Sequence, residues 1–542
     1  MNVCGVNLSH DSSCAVLDEN GNILSYLEEE RFAHIKKVTP TWESLSKTIS
    51  DYHPDSIYFT DIRGSYDGSI SSTIDSLLEY SQFKNIKSYN FPKIYKSKSH
   101  HLYHAACAFY CSGFETAAVL VVDGGGRVFK TESATYREQE SIYDFSYEHD
   151  TEVFKRLRKN SNNISDEVDD IQSYDVIDYM DDDFFPCIFG IAGVWDFLSS
   201  HFFNGEWEHA GKMMGASAYG AENPNHPRAY IGHSANPSFI KDVLLNKISF
   251  EDACYRLQHD SFKPICDLIE KTIKLTGQNN ICLSGGYFMN CVNNYKLLKK
   301  FPNVNFYVDP ICTDNGTSIG IAKYFWHREN PKKKSKPLET LYLGTQANYD
   351  RDLSVIGAKE LKVTPKDVAN LILQKNIVAL YQGRAEAGPR ALGNRSILYD
   401  PRDINGRDIV NTIKKREYYR PFAGSVLEEH ANEWFDMAGL KSSPFMMYAV
   451  KTKENMRNKV PALQHNDGTS RIQTINKTQN VNFYNLIMEF YNITGVPMVL
   501  NTSFNMAGDT LVNNMQDAVS TCLTCGIKYL YCPEREMLID FG

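Results

Sequence analysis

The chain has 542 residues, 66 acidic against 57 basic side chains and a formal charge of −9. At ~150 residues per domain this length predicts three or four domains, or two large ones. A content of 42% hydrophobic and 23% charged residues excludes a disordered chain, and the negative balance excludes a globally basic nucleic-acid binder but not a local basic patch.

Residues 2–8 read as a short strand that ends in the polar turn Ser9–Ser13. Cys14–Asp18 and Ile23–Glu28 are joined by Glu19-Asn20-Gly21-Asn22, and an Asn-Gly between apolar runs predicts a hairpin. Thr116–Val122 is an apolar strand leading into Asp123-Gly124-Gly125-Gly126. Asn280–Ser284 is another, followed by Gly285-Gly286 and a helix over Met289–Lys300. Strands that end in Gly-rich turns and lead into helices predict an α/β domain. Residues 146–183 stand apart as an insertion, with a basic knot at Lys155–Lys159 and an acidic tract at Asp166–Asp183. They read as a solvated surface insertion or as an acceptor-facing lid. The framed lysines of Pro331–Pro337 predict an exposed linker. The division expected is therefore 1–335 and 336–542, with further strands at 377–381, 422–427, 445–450 and 496–500.

His100 and His104 are four residues apart, a spacing that puts both imidazoles on one helix face. Asp123 ends a strand beside three glycines, and Asp314 lies in Asp314-Asn315-Gly316. Two histidines with two carboxylates suit Fe(II), Mn(II) or Zn(II) better than Ca²⁺. Gly124, Gly125, Gly285, Gly286 and Gly316 let a backbone approach phosphate closely. Together these turns point to the duplicated actin-like ATPase fold. His10 follows the first strand, and an unperturbed imidazole titrates near ~6.5. It reads equally as a general base or as a hydrogen-bonded turn residue.

In the C-terminal half, Gln382–Ser396 holds Arg384, Arg390 and Arg395 among three glycines. Arginine forks bind phosphate and carboxylate, so the segment predicts an anion pocket. Lys414-Lys415-Arg416, taken alone, fits a surface salt-bridge network. Cys522 and Cys525, with Cys532 nearby, read as core cysteines. The 13 Cys, odd in number and scattered, fit reduced thiols and a cytoplasmic location. The start MNVCGVNLSHDSS has no basic n-region and no apolar h-region, and no apolar run reaches ~18 residues. Neither a secretory signal nor a membrane span is expected, and the sequence sets no oligomeric state.

HHLYHAACAF, VVDGGG, GKMMGASAYG, LSGGYFMNCVNN, DNGTSIG, GRAEAGPRALGNRSIL, KKREYYRPFAGSV, HNDGTSRIQT and VPMVLNTSFN, in this order, resemble the NodU/CmcH-type O-carbamoyltransferase family. The resemblance implies an actin-like transfer domain over 1–335 and a YrdC-like α/β twisted-sheet domain over 336–542 that forms carbamoyladenylate from carbamoyl phosphate and Mg-ATP. It implies that Lys414, Arg420, Arg471 and Ser503 bind the carbamoyl phosphate or nucleotide phosphates, with Arg390, Asn501 and Thr502 close by. It assigns Lys212 and Asn290 to the N-terminal nucleotide segments. It gives an iron-like metal to His100, His104, Asp123 and Asp314, and the proton of the acceptor hydroxyl to His10. The acceptor expected is a small-molecule or sugar hydroxyl. Alternatives are a hydroxymethylated nucleobase in DNA or a nucleotide, a threonylcarbamoyl-type tRNA modification, and a non-catalytic actin-like scaffold.

Overall fold

The structure is a computed structural model that describes residues 2–39, 42–60, 76, 93–97, 99–130, 135–160, 174–177, 189–350 and 357–542. The chain divides into two compact units. The first comprises Met1–Glu29, Lys37–Asn293 and Lys300–Leu338, and the second Glu30–Lys36, Asn294–Lys299 and Glu339–Gly542.

In the first unit, strands β1 (Val3–Asn7), β2 (Ser13–Leu17), β3 (Ile23–Glu28), β4 (Ser56–Thr60) and β5 (Lys93–Ser97) lie in the order β3-β2-β1-β4-β5. The predicted hairpin joins β2 to β3. Its turn closes because Asp18 Oδ1 accepts from the amides of Asn20 and Asn22, while Gly21 takes φ 73°. β2 runs antiparallel to β1 and β3, whereas β4 and β5 continue parallel to β1.

A second sheet contains β6 (Thr116–Val122), β7 (Val128–Lys130), β8 (Thr135–Ser146), β9 (Asp150–Asn160) and β10 (Tyr174–Ile177). After a small hairpin of β11 (Tyr230–Ile231) and β12 (Ser234–Ala235), β13 (Asn280–Ser284) and β14 (Asn305–Val308) complete it. The path β9-β8-β6-β13-β14 repeats the first sheet strand for strand, in order and direction. The α/β class and the duplicated actin-like plan are thus visible in the strand order itself.

Helices α1 (His100–Ser112), α2 (Ile191–Phe202), α3 (Phe250–Asp260), α4 (Cys291–Lys300) and α5 (Thr317–Glu329) are the ones that bear on the site. α1 and α5 pack on each other between the two sheets. Tyr103, Val3, Tyr58, Ile321 and Trp326 form one core, and Ala105, Phe109, Val119, Val121 and Cys282 form another. Gly320 makes the helix pair this close, since a Cβ there would lie 1.9 Å from the Tyr103 carbonyl oxygen.

Three expectations change. The basic knot belongs to β9, an integral strand, and its two arginines are not at the surface: Arg156 and Arg158 are buried, and Arg156 Nη1 donates to Glu140 Oε2 at 3.3 Å across the β8–β9 pair. The rest of the supposed insertion, 161–173 and 178–183, lies outside the described residues. The helix expected from Met289 starts at Cys291, after a 3-10 turn over Gly286–Met289. Within the linker, Lys332–Lys334 are exposed, but Ser335 is buried and accepts from the buried Lys323 ammonium at 2.8 Å, which also donates to the Gly21 carbonyl.

The second unit has a ten-stranded mixed sheet of β15 (Lys359–Lys362), β16 (Val378–Tyr381), β17 (Arg395–Tyr399), β18 (Ala423–Leu427), β19 (Phe435–Asp436), β20 (Ala449–Thr452), β21 (Thr469–Ile475), β22 (Met498–Ser503), β23 (Tyr529–Cys532) and β24 (Met537–Asp540). Its order is β15-β24-β23-β16-β17-β22-β18-β21-β20-β19. The strand expected at 445–450 begins only at Ala449, because Met446 sits at φ 59° and cannot join a pleat. Cys522, Cys525 and Cys532 are buried. No helix among the described residues is long and apolar enough to cross a membrane.

Candidate active site

The first two turns of α1 carry His100 and His104, both buried. β6 ends at Val122 and delivers Asp123. Asp314 opens the turn that leads into α5, and the first sheet holds that turn in place. Asn7 Nδ2 donates to the Asp314 carbonyl at 3.0 Å, Ser13 Oγ donates to the Asn315 carbonyl at 2.7 Å, and Asn315 Nδ2 donates to Glu28 Oε1 at 2.7 Å.

The four side chains come together, with one ligand atom from each within 4.8 Å of the others. The Nε2 atoms of His100 and His104 are 3.1 Å apart, and Asp314 Oδ1 is 3.3 Å from the first and 3.5 Å from the second. Asp123 Oδ2 is 3.7 Å from His100 Nε2. Ligand atoms about 2.1 Å from a divalent ion stand about 3.0–3.4 Å apart in tetrahedral or octahedral shells, so the set fits such an ion. Asp314 Oδ2 is buried with no hydrogen-bond donor. The electrostatics also call for a cation. Burial alone would lower the His100 pKa, but the Asp314 and Asp123 carboxylates outweigh it and push it up to about 10. Burial likewise opposes ionisation of Asp314, yet His100 holds its carboxyl well below the usual range.

His10 stands at the edge of this cluster. Its Nδ1 is 3.7 Å from Asp314 Oδ2 and its Nε2 is 3.6 Å from Asp11 Oδ2. The side chain is 31% exposed, so a substrate can reach it. Lys37 Nζ contacts both oxygens of Asp11 at 2.7 Å.

The glycine loops are shaped largely by their neighbours. A Cβ on Gly124 would lie 2.3 Å from Asp196 Oδ2, and one on Gly125 would lie 2.3 Å from Arg137 Nε. Gly285 takes φ 94° against the Val122 carbonyl, and Gly316 is closed in by the Ile311 carbonyl. Gly286 is more open and donates its amide to Asp123 Oδ1 at 2.9 Å. Asn290 is paired in both directions with Gln258 of α3, at 3.2 and 3.0 Å. The Lys212 ammonium lies over the Phe203 ring at 4.9 Å. Asp196, on α2, is a carboxylate that motif reading missed. Burial first, then the Asp123 charge, pushes its pKa up to about 7.

The second unit gathers cations. α6 (Gly406–Ile413) ends at Lys414, whose buried ammonium donates to the Asn505 carbonyl at 2.7 Å and Asn505 Oδ1 at 2.9 Å, and also bonds the Ser503 carbonyl. Burial lowers the Lys414 pKa well below its usual value, and Arg416 and Arg420 lower it further. Lys415 takes the left-handed φ 52° and turns the chain sharply between its two neighbours. Arg416 donates from Nη1 to Thr502 Oγ1 at 3.3 Å and lies over the Phe422 ring at 5.0 Å. Burial lowers its pKa, as do Arg420, Arg471 and Arg390. The surface-network reading of this run therefore fails for the buried Lys414, and the half-buried Arg416 is a member of the cation cluster that motif reading missed. Arg420 contacts Glu417 Oε2 at 3.4 Å. Arg471 on β21 and Asn501 on β22 both pair with Ala423 on β18.

Arg384 and Arg395 serve the loop instead. Arg384 Nε donates to the Gly344 carbonyl at 3.0 Å, and Arg395 donates to the carbonyls of Gln382, Asn394, Thr345 and Gly383. Glu386 Oε1 accepts from the amides of Leu392, Asn394 and Arg395, at 2.8, 2.8 and 3.1 Å. Asn501 Nδ2 is engaged with the Ala391 carbonyl and Ser425 Oγ. Of the three loop arginines, Arg390 is the one coupled to the cation cluster.

The family description Carbamoyltransferase C-terminus matches residues 369–537, and Carbamoyltransferase N-terminus matches residues 265–323. Nodulation protein NolO of Bradyrhizobium diazoefficiens is 30% identical over 449 residues, covering 80% of this chain and 77% of that one. Nodulation protein NolNO of Sinorhizobium fredii is 30% identical over 473 residues, and there the chain spans 62% of the relative's length. Nodulation protein U of Rhizobium tropici is 25% identical over 98% of this chain and 95% of that one. The chain belongs to the NodU/NolO-type carbamoyltransferases, a family of enzymes.

Proposed function

We propose that the protein is an ATP-dependent O-carbamoyltransferase that works in two steps. The observation that carries this reading is the presence of two cation centres of different chemistry. The second unit has half-buried arginines and a buried lysine that suit polyanions. The first has a His/Asp cluster beside an accessible imidazole.

Carbamoyl phosphate is hydrolysed to carbamate and phosphate. A carbamate oxygen attacks the α-phosphorus of Mg-ATP, and pyrophosphate leaves, giving carbamoyladenylate. Lys414, Arg416, Arg420 and Arg471 offset the negative charge that collects on the phosphates, with Arg390, Thr502 and Ser503 beside them. Adenylation is needed because carbamate is a poor electrophile, and it turns one oxygen into a leaving group. In the first unit, His10 takes the proton of an acceptor hydroxyl whose oxygen attacks the carbamoyl carbon, and AMP departs. His100, His104, Asp123 and Asp314 would hold Fe(II), Mn(II) or Zn(II), which would supply Lewis-acid neutralisation of charge on the departing AMP. Gly286, the more open of the glycines, leaves room for its phosphate.

The acceptor favoured is a small-molecule hydroxyl. A hydroxymethylated base in DNA loses its main support, because Arg156 and Arg158 are buried and cannot grip a phosphate backbone. A scaffold role leaves the cation pocket of the second unit without a purpose. The test supplies metal-loaded protein with ATP and carbamoyl phosphate and follows AMP, pyrophosphate and acceptors that gain one carbamoyl group by mass spectrometry. Pyrophosphate that depends on carbamoyl phosphate is expected, and its absence would exclude the adenylate route.

A further inference from the structure

Trp207 is 36% exposed, while Trp195, Trp326 and Trp434 are buried and Trp42 is half-buried. An indole is the side chain with most to gain from burial, so one held out in solvent needs a reason. Here the backbone is built to hold it out. Asn204 and Gly205 both take left-handed φ, 54° and 94°, and form a tight reversal after α2. Gly205 N–H donates to the Ser200 carbonyl at 2.8 Å, and Glu206 N–H donates to the Phe203 carbonyl at 3.0 Å. Ser199 then clamps both sides of the tryptophan: its Oγ donates to the Glu206 carbonyl at 2.8 Å and accepts from the His209 amide at 2.9 Å. The backbone that carries the indole is thus preorganised, which saves the ordering entropy a flexible loop would lose on binding.

What it adjoins is the proposed base. The His10 and Trp207 ring centroids are 4.6 Å apart, with the planes at 88°, and Lys37 Nζ lies 5.3 Å from the indole centroid. The Asp11–Lys37 pair beside it offers hydrogen-bond acceptors and donors together. A rigid aromatic surface edged by a few polar groups is the usual make-up of a small-ligand site.

We propose that Trp207, with His10 and the Asp11–Lys37 pair, is the acceptor platform, and that it takes the apolar C–H face of a neutral pyranose whose hydroxyl points at His10. This rests on the O-carbamoyltransferase reading above. The charge around the indole selects against a nucleic acid. Glu206 and Glu208 flank it in sequence and Asp11 neutralises Lys37, so the charges described beside the indole do not favour phosphates.

The test uses the full-length, metal-loaded protein. Methyl β-D-glucopyranoside and methyl α-D-mannopyranoside are titrated against tryptophan fluorescence, and the same glycosides are offered as acceptors. Saturable quenching by at least one glycoside is expected, with loss of that signal in Trp207→Phe. For the glycoside that is carbamoylated, Trp207→Ala should raise KM about tenfold or more, and Trp207→Tyr should stay within about threefold of the wild type. Thermal melts and metal content verify that each variant is folded. An unchanged KM in Trp207→Ala, a loss confined to kcat, or no quenching by either sugar would overturn the platform. So would carbamoylation of a hydroxymethylcytosine oligonucleotide in place of the sugars. Pyrophosphate release by the wild type is read in parallel: if it occurs while the sugar results are negative, the platform falls and the enzymatic reading stands, whereas no pyrophosphate removes the enzymatic reading itself.

Discussion

Arg416 is the residue whose role changes most between sequence and structure. In sequence it belongs to a run of three basic residues, a pattern that usually marks a solvated face. The left-handed turn at Lys415 separates its neighbours, so that Lys414 is buried and Arg416 half-buried while Lys415 is left outside. A half-buried guanidinium crowded by other cations is costly unless an anion completes the set. Arg416→Ala should slow pyrophosphate formation by about 10²–10³-fold, the cost of one preorganised donor in a transition state. Arg416→Lys should recover only part of that, because an ammonium lacks the planar fork. Full activity in either variant would remove Arg416 from the site.

Asp196 makes a pH-dependent contribution at the same scale. Its pKa of about 7 in the folded chain lies above its ordinary value of 3.8, so the folded state holds the proton more tightly than the unfolded state. Its contribution to stability is complete below about pH 4 and declines as the pH rises to about 7. Asp196→Asn keeps the size and removes the charge. The unfolding temperature of this variant relative to wild type should therefore climb between about pH 4 and pH 7 and then level off, as scanning calorimetry would record. A constant offset across that range would contradict the assignment.

Helices α1 and α5 are the elements on which the metal-type cluster depends. One carries both histidines and the other follows directly from Asp314, so their spacing sets the distance between the imidazoles and the carboxylate. Gly320 fixes that spacing. Gly320→Ala would drive a methyl into the Tyr103 backbone, which cannot rotate away as a side chain can. Overpacking of this kind costs about 1–3 kcal/mol, and the variant should show both a lower melting temperature and weaker metal retention on dialysis. Wild-type values for both would show that the helices tolerate separation.

Elements also explain what was legible. The strands at 116–122 and 280–284 were readable because apolar runs ended abruptly in glycines. His100 and His104 were readable because helical spacing is local. β9 was hidden by its own composition. Arg156 is neutralised by Glu140, its cross-strand partner sixteen residues earlier, and that pairing exists only once the register is known. Asp196 and Trp207 were hidden for a similar reason, since each acts through a residue far from it in sequence.

For the whole molecule, the two cation centres lie in separate compact units, so each should fail alone. His104→Ala should lose metal and carbamoyl transfer while pyrophosphate still forms from ATP and carbamoyl phosphate. Equal loss of both reactions would mean that the chemistry is not divided in this way. The pattern of glycines and arginines made both centres legible in outline, but not which arginines bind anions and which hold the loop. That distinction depends on where a guanidinium finds carbonyl oxygens, as Arg395 does four times over.

The bond from Asn7 to the Asp314 carbonyl spans 307 positions, and the core shared by Val3, Tyr58, Ile321 and Trp326 spans a similar distance. The ribosome adds about 5–20 residues per second, so β1 emerges about 15–60 s before the helix that covers it. For that interval a nascent sheet with an uncovered apolar face is open to capture by holdases or to mispairing between neighbouring polysomes. The late arrival of α5, more than any local weakness, makes the first sheet the point where recombinant yield would be limited.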